Sequence, residues 1–233
     1  MKAMFSNRAR AAAIVAAVLS VALLVGLAGD TVQASNMGFK HHKQIHPKDG
    51  GFPNGENLLA LPFRNPYTNA SDICSALGLS AAPAGVVLQN NANTGVVTSN
   101  VPGCGVGNFA LAPRVGVVVR NNLATSGMIV GSHQGNPPGN ITLFPVDGAF
   151  PNGRNDFPVP YHTTSVDSED VCLDLGVPNG NTLLRYDALA GVITSHTCGA
   201  GHLPVGFALR LGESVRITST VLVNAPPGRP AHF

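Results

Sequence analysis

The residues with the clearest chemistry in this sequence are its four cysteines, Cys74, Cys104, Cys172 and Cys198. None belongs to a Cys-x-x-Cys pair, which argues against a thioredoxin-like redox site, a zinc ribbon and covalent c-type haem. An even number of cysteines in a chain bound for an oxidising compartment indicates disulfide bonds. Four cysteines allow three pairings, and the repeat described below selects one of them.

Residues 41–46, HHKQIH, concentrate three of the eight histidines. His42 and His46 would share a face of a helix, or of a strand at about 13 Å from each other. Imidazoles are ligands for zinc and copper, so these two residues are candidate metal ligands. Two ligands are too few for a closed site, and a solvated basic arm is the favoured interpretation. The sequence predicts no cofactor.

A second candidate set lies in the second half of the chain, and its members are His162, Glu169, Asp170, His196 and His202. The first half has no histidine at the corresponding positions, a divergence that a single site between the halves would produce. Imidazoles and carboxylates act as general acids and bases. The favoured interpretation of the two carboxylates is different, because both fall in the first turn of a predicted helix, where they stabilise its positive end. No nucleophile elbow or phosphate-binding loop is present, so no catalytic residue is assigned.

An internal repeat relates the first half of the chain to the second, including their cysteines. A shift of 98 positions carries residues 47–55 onto residues 145–153 with seven of nine identical, and the same shift carries Cys74 onto Cys172. With small gaps, Cys104 aligns with Cys198. A module that folded before it was copied carries its own bridge. The predicted disulfides are therefore Cys74 with Cys104 and Cys172 with Cys198.

Each copy has the pattern of a short-stranded module. The chain contains 27 Gly and 18 Pro, which interrupt it too often for long helices. Capping patterns predict helices at residues 68–77 and 166–175, and hairpin patterns occur at residues 86–99 and 183–195. The predicted fold class is mainly β, a β-rich α+β arrangement of two tandem homologous modules, each with one short helix and one intramodule disulfide.

Residues 1–34 have the layout of an export signal. Basic residues precede an uncharged run at residues 11–28, and the small residue Ala34 completes a cleavage motif. A retained membrane anchor is the alternative, because 18 residues are close to the minimum for crossing a bilayer. The predicted organisation is a signal peptide at residues 1–34, an N-terminal arm at 35–42, a first module at 43–140 and a second module at 141–233.

The formal charge of +2 comes from the export signal. Without residues 1–34 the chain keeps 11 basic and 11 acidic residues, so the mature protein is neutral. A neutral, weakly charged chain has no basic footprint for nucleic acid. The sequence therefore predicts no nucleic-acid partner, and no membrane partner once the signal is cleaved.

The order of three short motifs resembles repeat modules of bacterial secreted and cell-surface proteins. The motifs are LPF at residues 61–63, NTG at residues 93–95 and LGESV at residues 211–215. The aromatic ending often found in such modules, a Gly followed by Tyr and Trp, is replaced here by VRI at residues 215–217. The resemblance implies a bacterial secreted location and no catalytic activity.

The sequence favours an exported, non-enzymatic structural or binding protein of the cell surface or extracellular matrix. Its expected partners are a cell-surface glycan, a protein or a second copy of the chain, in an extracellular, cell-surface or periplasmic location. Two alternatives stay open. One is a secreted hydrolase or carbohydrate-active protein with a site between the modules, and the other is a periplasmic metal-binding protein that uses the histidine arm.

Overall fold

The computed structural model describes residues 39–62, 64–79, 85–100, 103–104, 107–132, 141–149, 152–159, 163–210 and 212–225. All of them belong to one compact unit. The described chain is mainly β, with two short helices among twelve strands. Within these ranges, neither helix has the length and hydropathy needed to cross a membrane.

The first half of the chain contributes six strands and one helix. In chain order they are β1 (Phe39–Ile45), β2 (Asn57–Leu59), α1 (Ala70–Ala76), β3 (Val86–Asn91), β4 (Val96–Ser99), β5 (Val117–Arg120) and β6 (Thr125–Gly131). The strand β1 crosses the predicted boundary between the N-terminal arm and the first module, because it pairs with β6 along its whole length.

The second half contributes the same number of elements in the same order. They are β7 (Ile141–Leu143), β8 (Arg154–Pro158), α2 (Ser168–Leu175), β9 (Thr182–Asp187), β10 (Val192–Thr197), β11 (Ser214–Thr218) and β12 (Val223–Ala225). The predicted helices and hairpins are present in both halves, with helices somewhat shorter than the capping patterns suggested.

The two halves also share their sheet topology. One four-stranded antiparallel sheet has the order β2-β5-β3-β4, and the other has the order β8-β11-β9-β10. Two-stranded sheets are formed by β1 with β6 and by β7 with β12. In each half the fifth strand, β5 or β11, thus lies between the second strand, β2 or β8, and the hairpin.

Each half has its own hydrophobic core between its sheets and its helix. Buried residues of the first core include Ile45, Leu59, Ile73, Val87 and Val119. Their counterparts 96 or 98 positions later, all in the second core, are Leu143, Phe157, Val171, Leu183 and Ile217. Every pair is apolar, so both halves bury the same face of the same elements.

A buried asparagine ties each core together. The side chain of Asn57 donates to the carbonyl oxygens of His46, Gly55 and Val119, at 3.0 to 3.1 Å, and accepts from the backbone of His46. Asn155 makes the same four bonds at the corresponding positions of the second half. A buried amide with four partners is fully satisfied, so this residue fixes β1 or β7 against its sheet.

Candidate functional site

Both predicted disulfides are present. Cys74 is bonded to Cys104, and Cys172 is bonded to Cys198. Each bridge joins the helix of one half to the segment that follows its hairpin, and none of the four cysteines is free. The protein therefore offers no thiolate for nucleophilic chemistry or metal binding in this state.

The Cys172–Cys198 bridge lies beside a buried histidine and a buried glutamate. The Nε2 of His196 lies 2.6 Å from Oε2 of Glu169, and the His196 side chain has no exposed surface. Both carboxylate oxygens of Glu169 also accept the backbone N–H of Gly199, at 3.0 Å. The pair braces β10 against the first turn of α2, out of reach of a dissolved substrate.

Asp167 and Asp170 cap the same helix. The carboxylate of Asp167 accepts the N–H groups of Glu169 and Asp170, while Asp170 accepts the N–H groups of Val166 and Asp167. Burial raises the pKa of Asp167, but the N–H groups of Asp170 and Leu203 and the nearby His202 outweigh it, so the pKa is lowered. These bonds are a capping box that holds the start of α2.

His202 is the exposed member of the predicted set. Its Nδ1 lies 3.3 Å from Asp167 and 3.5 Å from Asp170, and its side chain is 56% exposed. The structure gathers Glu169, Asp170, His196 and His202 around the first turn of α2, and their hydrogen bonds and ion pairs go to residues of the second half. His162 lies outside the described residues.

Two groups in the described ranges bring three possible metal ligands within 4.8 Å of one another. One is Glu169, Cys172 and His196, where the disulfide occupies the sulfur. The other is Asp167, Asp170 and His202, where the helix cap occupies the carboxylates. Neither group contains the predicted ligands His42 and His46. His42 is exposed on β1, and the backbone of His46 is bonded to the side chain of Asn57.

The two halves are joined by a reciprocal pair of backbone hydrogen bonds. Gly55 donates to the carbonyl oxygen of Ala188 at 3.0 Å, and Gly153 donates to that of Ala92 at 2.9 Å. Gly153 is the counterpart of Gly55, and Ala188 is the counterpart of Ala92. The contact therefore repeats itself when the halves are exchanged, as in the two-fold interface of a dimer.

In the same interface, Gly116 donates its N–H to the carbonyl oxygen of Asp156 at 2.7 Å. The side chain of Ser214 fills the space that a Cβ atom at position 116 would need. Ser214 in turn donates its hydroxyl to the carbonyl oxygen of Leu59 at 3.0 Å. A glycine in one half and a serine in the other thus let the two sheets approach at the backbone.

The interface also contains a buried ion pair that no sequence motif indicated. Arg216 donates to both oxygens of Asp156, at 2.6 and 2.9 Å, and to the hydroxyl of Tyr186 at 2.8 Å. From the first half, Asn90 donates to Asp156 at 2.6 Å. Burial lowers the pKa of Arg216, but Asp156 outweighs it and the pKa is raised.

At the counterpart positions of the first half, an apolar cluster replaces the ion pair. Leu58 occupies the position that corresponds to Asp156, and Val118 the position that corresponds to Arg216. Leu58 and Val118 both pack against Tyr186. The repeat alignment contained a signal for this ion pair, since an apolar residue in one copy aligns with a charged residue in the other. Such a change at a buried position identifies residues of the contact between the halves.

A cavity of about 340 Å³, here called the inter-half cavity, opens beside the ion pair. Residues of β3, β4 and the segment before β5 form one wall, and residues of β7 and β8 form the other. The lining residues are Gln89, Asn90, Asn91, Ala92, Thr98, Phe109, Ala110, Ala112, Arg114, Val115, Ile141, Thr142, Leu143, Phe144, Asn155, Asp156 and Phe157. Its size and mixed lining are typical of a small-molecule site.

No protein-family model, no curated protein and no solved structure matches this chain.

Proposed function

We propose that this chain is an exported, non-enzymatic binding or structural protein of the cell surface or extracellular matrix, and that its ligand occupies the inter-half cavity. The observation that carries the proposal is the cavity itself, which is bounded by both halves and has the volume of a ligand site. A ligand held there contacts both halves at once and stabilises the contact between them.

The assignment as non-enzymatic is supported by the bonds of the groups that would do chemistry. Glu169 and His196 are buried against each other, Asp167 and Asp170 cap a helix, and the cysteines are oxidised. Catalytic acids, bases and nucleophiles must reach the reacting atoms. These groups are instead committed to holding the second half together.

Export is supported by residues 1–34, which have the pattern of a signal peptide, and by the two disulfides, which are consistent with an oxidising compartment. In such a compartment the bridges persist and give each half a covalent link across its own core. The lack of net charge in residues 35–233 favours partners held by short-range contacts over partners attracted from a distance.

The proposal is tested on the exported protein with a library of neutral and charged oligosaccharides, short peptides and small esters. A compound that binds the folded state raises the melting temperature in proportion to its concentration and affinity. We expect stabilisation by one class of compound and no turnover of any. Turnover that is lost in His196→Asn, the residue found at the matching position 100, would contradict the proposal and favour a hydrolase.

A further inference from the structure

The contact between the halves contains two equivalent regions, called here the first place and the second place. The repeat relation that carries one half onto the other also carries the first place onto the second. At each place the hairpin of one half faces the first strands of the other. At the first place the hairpin β9–β10 contacts β2 and the segment before it, and at the second the hairpin β3–β4 lies against β8 and across the inter-half cavity from β7. The inter-half cavity occupies the second place.

Five charged residues fill the first place, and we call them the charged cluster. They are Lys43, Arg185, Asp187, Arg210 and Glu213. Arg210 lies 3.2 Å from Asp187 and 3.8 Å from Glu213, and Lys43 lies 3.9 Å from Glu213. Arg185 lies over the ring of Phe207, at 5.2 Å from its centre.

Two members of the cluster, Lys43 and Glu213, are largely buried. Burial raises the pKa of Glu213 and lowers the pKa of Lys43, because both charges lose contact with water. Within the described residues, Nε of Arg185 and Oε2 of Glu213 are buried without a hydrogen-bond partner. Long charged side chains thus take up the space between the halves at the first place.

At the second place every one of these charges is absent. The counterparts of Lys43, Arg185, Asp187, Arg210 and Glu213 are Ile141, Gln89, Asn91, Ala112 and Val115. All five counterparts line the inter-half cavity. The cavity therefore exists where uncharged and mostly shorter side chains stand at the positions of the charged cluster. All five replacements occur at the second place, so the cavity is specific to that part of the contact.

The remaining charges of the lining are already engaged. Asp156 is held by two bonds from Arg216 and one from Asn90, and Arg114 has an interaction of its own within the chain. An ionic ligand would lose its hydration in the cavity without a free counter-charge to replace it. The lining consequently selects an uncharged ligand.

The uncharged lining combines aromatic rings with polar groups. Phe109 and Phe144 are half-buried on opposite walls, and Asn91 and Thr98 are exposed beside them. Aromatic rings pack against the apolar face of a sugar ring, while amides and hydroxyls bond its hydroxyl groups. Resting on the proposed function, we infer that the inter-half cavity binds an uncharged saccharide.

The chain itself supplies the variant that closes the cavity. Ala112 and Asn91 are exposed, and the double variant Ala112→Arg/Asn91→Asp copies the Arg210–Asp187 ion pair of the charged cluster into the cavity. The two hydrogen bonds between the side-chain amide of Gln89 and the backbone of residue 112 are retained. Aspartate can also accept the turn N–H groups that Asn91 accepts, so the variant should fold.

The matched control is the reverse exchange, Arg210→Ala/Asp187→Asn, which alters the charged cluster and leaves the cavity unchanged. The probes are cellotriose, maltotriose and chitotriose as neutral saccharides, trigalacturonate as a charged saccharide and trialanine as a peptide. Binding is measured by calorimetry on the exported protein, and folding of each variant is measured by near-ultraviolet circular dichroism.

We expect a neutral saccharide to bind, its affinity to fall by about tenfold or more in the cavity-closing variant, and the control to bind as the wild type does. Neutral saccharide binding that survives closure overturns the inference. Binding of trigalacturonate or trialanine alone, lost on closure, also overturns it but leaves the proposed function standing. Turnover of a probe would contradict the proposed function instead.

Discussion

The guanidinium group of Arg216 holds the carboxylate of Asp156 through two hydrogen bonds, of 2.6 and 2.9 Å, and both side chains are buried. Tyr186 and Asn90 complete the network from either side. A buried ion pair costs free energy to desolvate, and breaking it leaves an unpaired charge in the interior. Asp156 and Arg216 are cross-strand partners on β8 and β11 of the second half, and Asn90 bonds this pair from the first half.

Removal of either charge alone should destabilise the protein strongly. Asp156→Leu and Arg216→Val each leave one buried charge, so each should lower the free energy of unfolding by about 3–5 kcal/mol. The double variant copies the apolar pair Leu58 and Val118, and it should lose far less than the sum of the single losses. Urea unfolding of the four proteins measures this coupling. Additive losses would show that the two residues act independently.

The disulfides should contribute about equally, because the bridged cysteines are 30 residues apart in one half and 26 in the other. The loop-entropy relation gives about 3.5 kcal/mol for each. We expect Cys74→Ser/Cys104→Ser and Cys172→Ser/Cys198→Ser to lower the free energy of unfolding by similar amounts in chemical denaturation. A loss confined to one pair would contradict this expectation.

The start of α1 should be sensitive to acid. The backbone N–H groups of Asn69 and Thr68 donate to Asp72 and lower its pKa below the ordinary aspartate value. A lowered pKa in the folded state stabilises the protein above the ordinary value, and this stability is lost as the pH falls through the folded value.

In Asp72→Asn we expect a loss of about 0.5 kcal/mol at neutral pH, since solvent screens the charge of this partly exposed side chain, and a smaller loss of stability on acidification. Unfolding is followed by circular dichroism between pH 6 and pH 2, a range of about 4 pH units over which carboxylates become protonated. The control Asp49→Asn removes the same charge from an exposed turn outside the helices. An Asp72→Asn profile identical to that of the wild type would contradict the assigned cause.

The proposed export predicts a mature chain that begins at Ser35. Cleavage after Ala34 follows from the small-residue motif at the end of the predicted signal. Amino-terminal sequencing of the protein from the medium or periplasm measures the start directly. A chain that keeps residues 1–34 and fractionates with membranes would show that the segment is a retained anchor.

The repeat in the sequence was sufficient to predict several features correctly. The two disulfides, the two helices and the two hairpins all follow from local patterns or from the alignment of one half with the other. Capping residues, turn residues and strand alternation act over a few positions, so they can be read without knowing the fold. The pairing of the cysteines needed the repeat as well, since composition alone left three possibilities.

The contact between the halves was predicted less well than the elements of each half. Glu169, Asp170, His196 and His202 were candidates for a site between the halves, which was one of two alternatives, while a role at the helix start was the favoured interpretation of the two carboxylates. Glu169 and Asp170 do lie in the first turn of α2, and the bonds of all four residues lie within the second half. The residues that do line the contact, such as Asp156 and Asn90, are ordinary strand residues with no local motif. Their proximity depends on how two sheets meet, and contacts of that range leave no periodic trace in either strand.

The sequence by itself determined what each half contains: the strands, the helix, the bridge and the buried apolar positions, because these depend on short-range patterns that occur twice. Only the tertiary structure decided what differs between the two places where the halves meet. The substitutions from Lys43 to Ile141 and from Glu213 to Val115 look like ordinary divergence along the chain. They produce a cavity on one side and the charged cluster on the other, because folding brings distant residues to corresponding places of one contact.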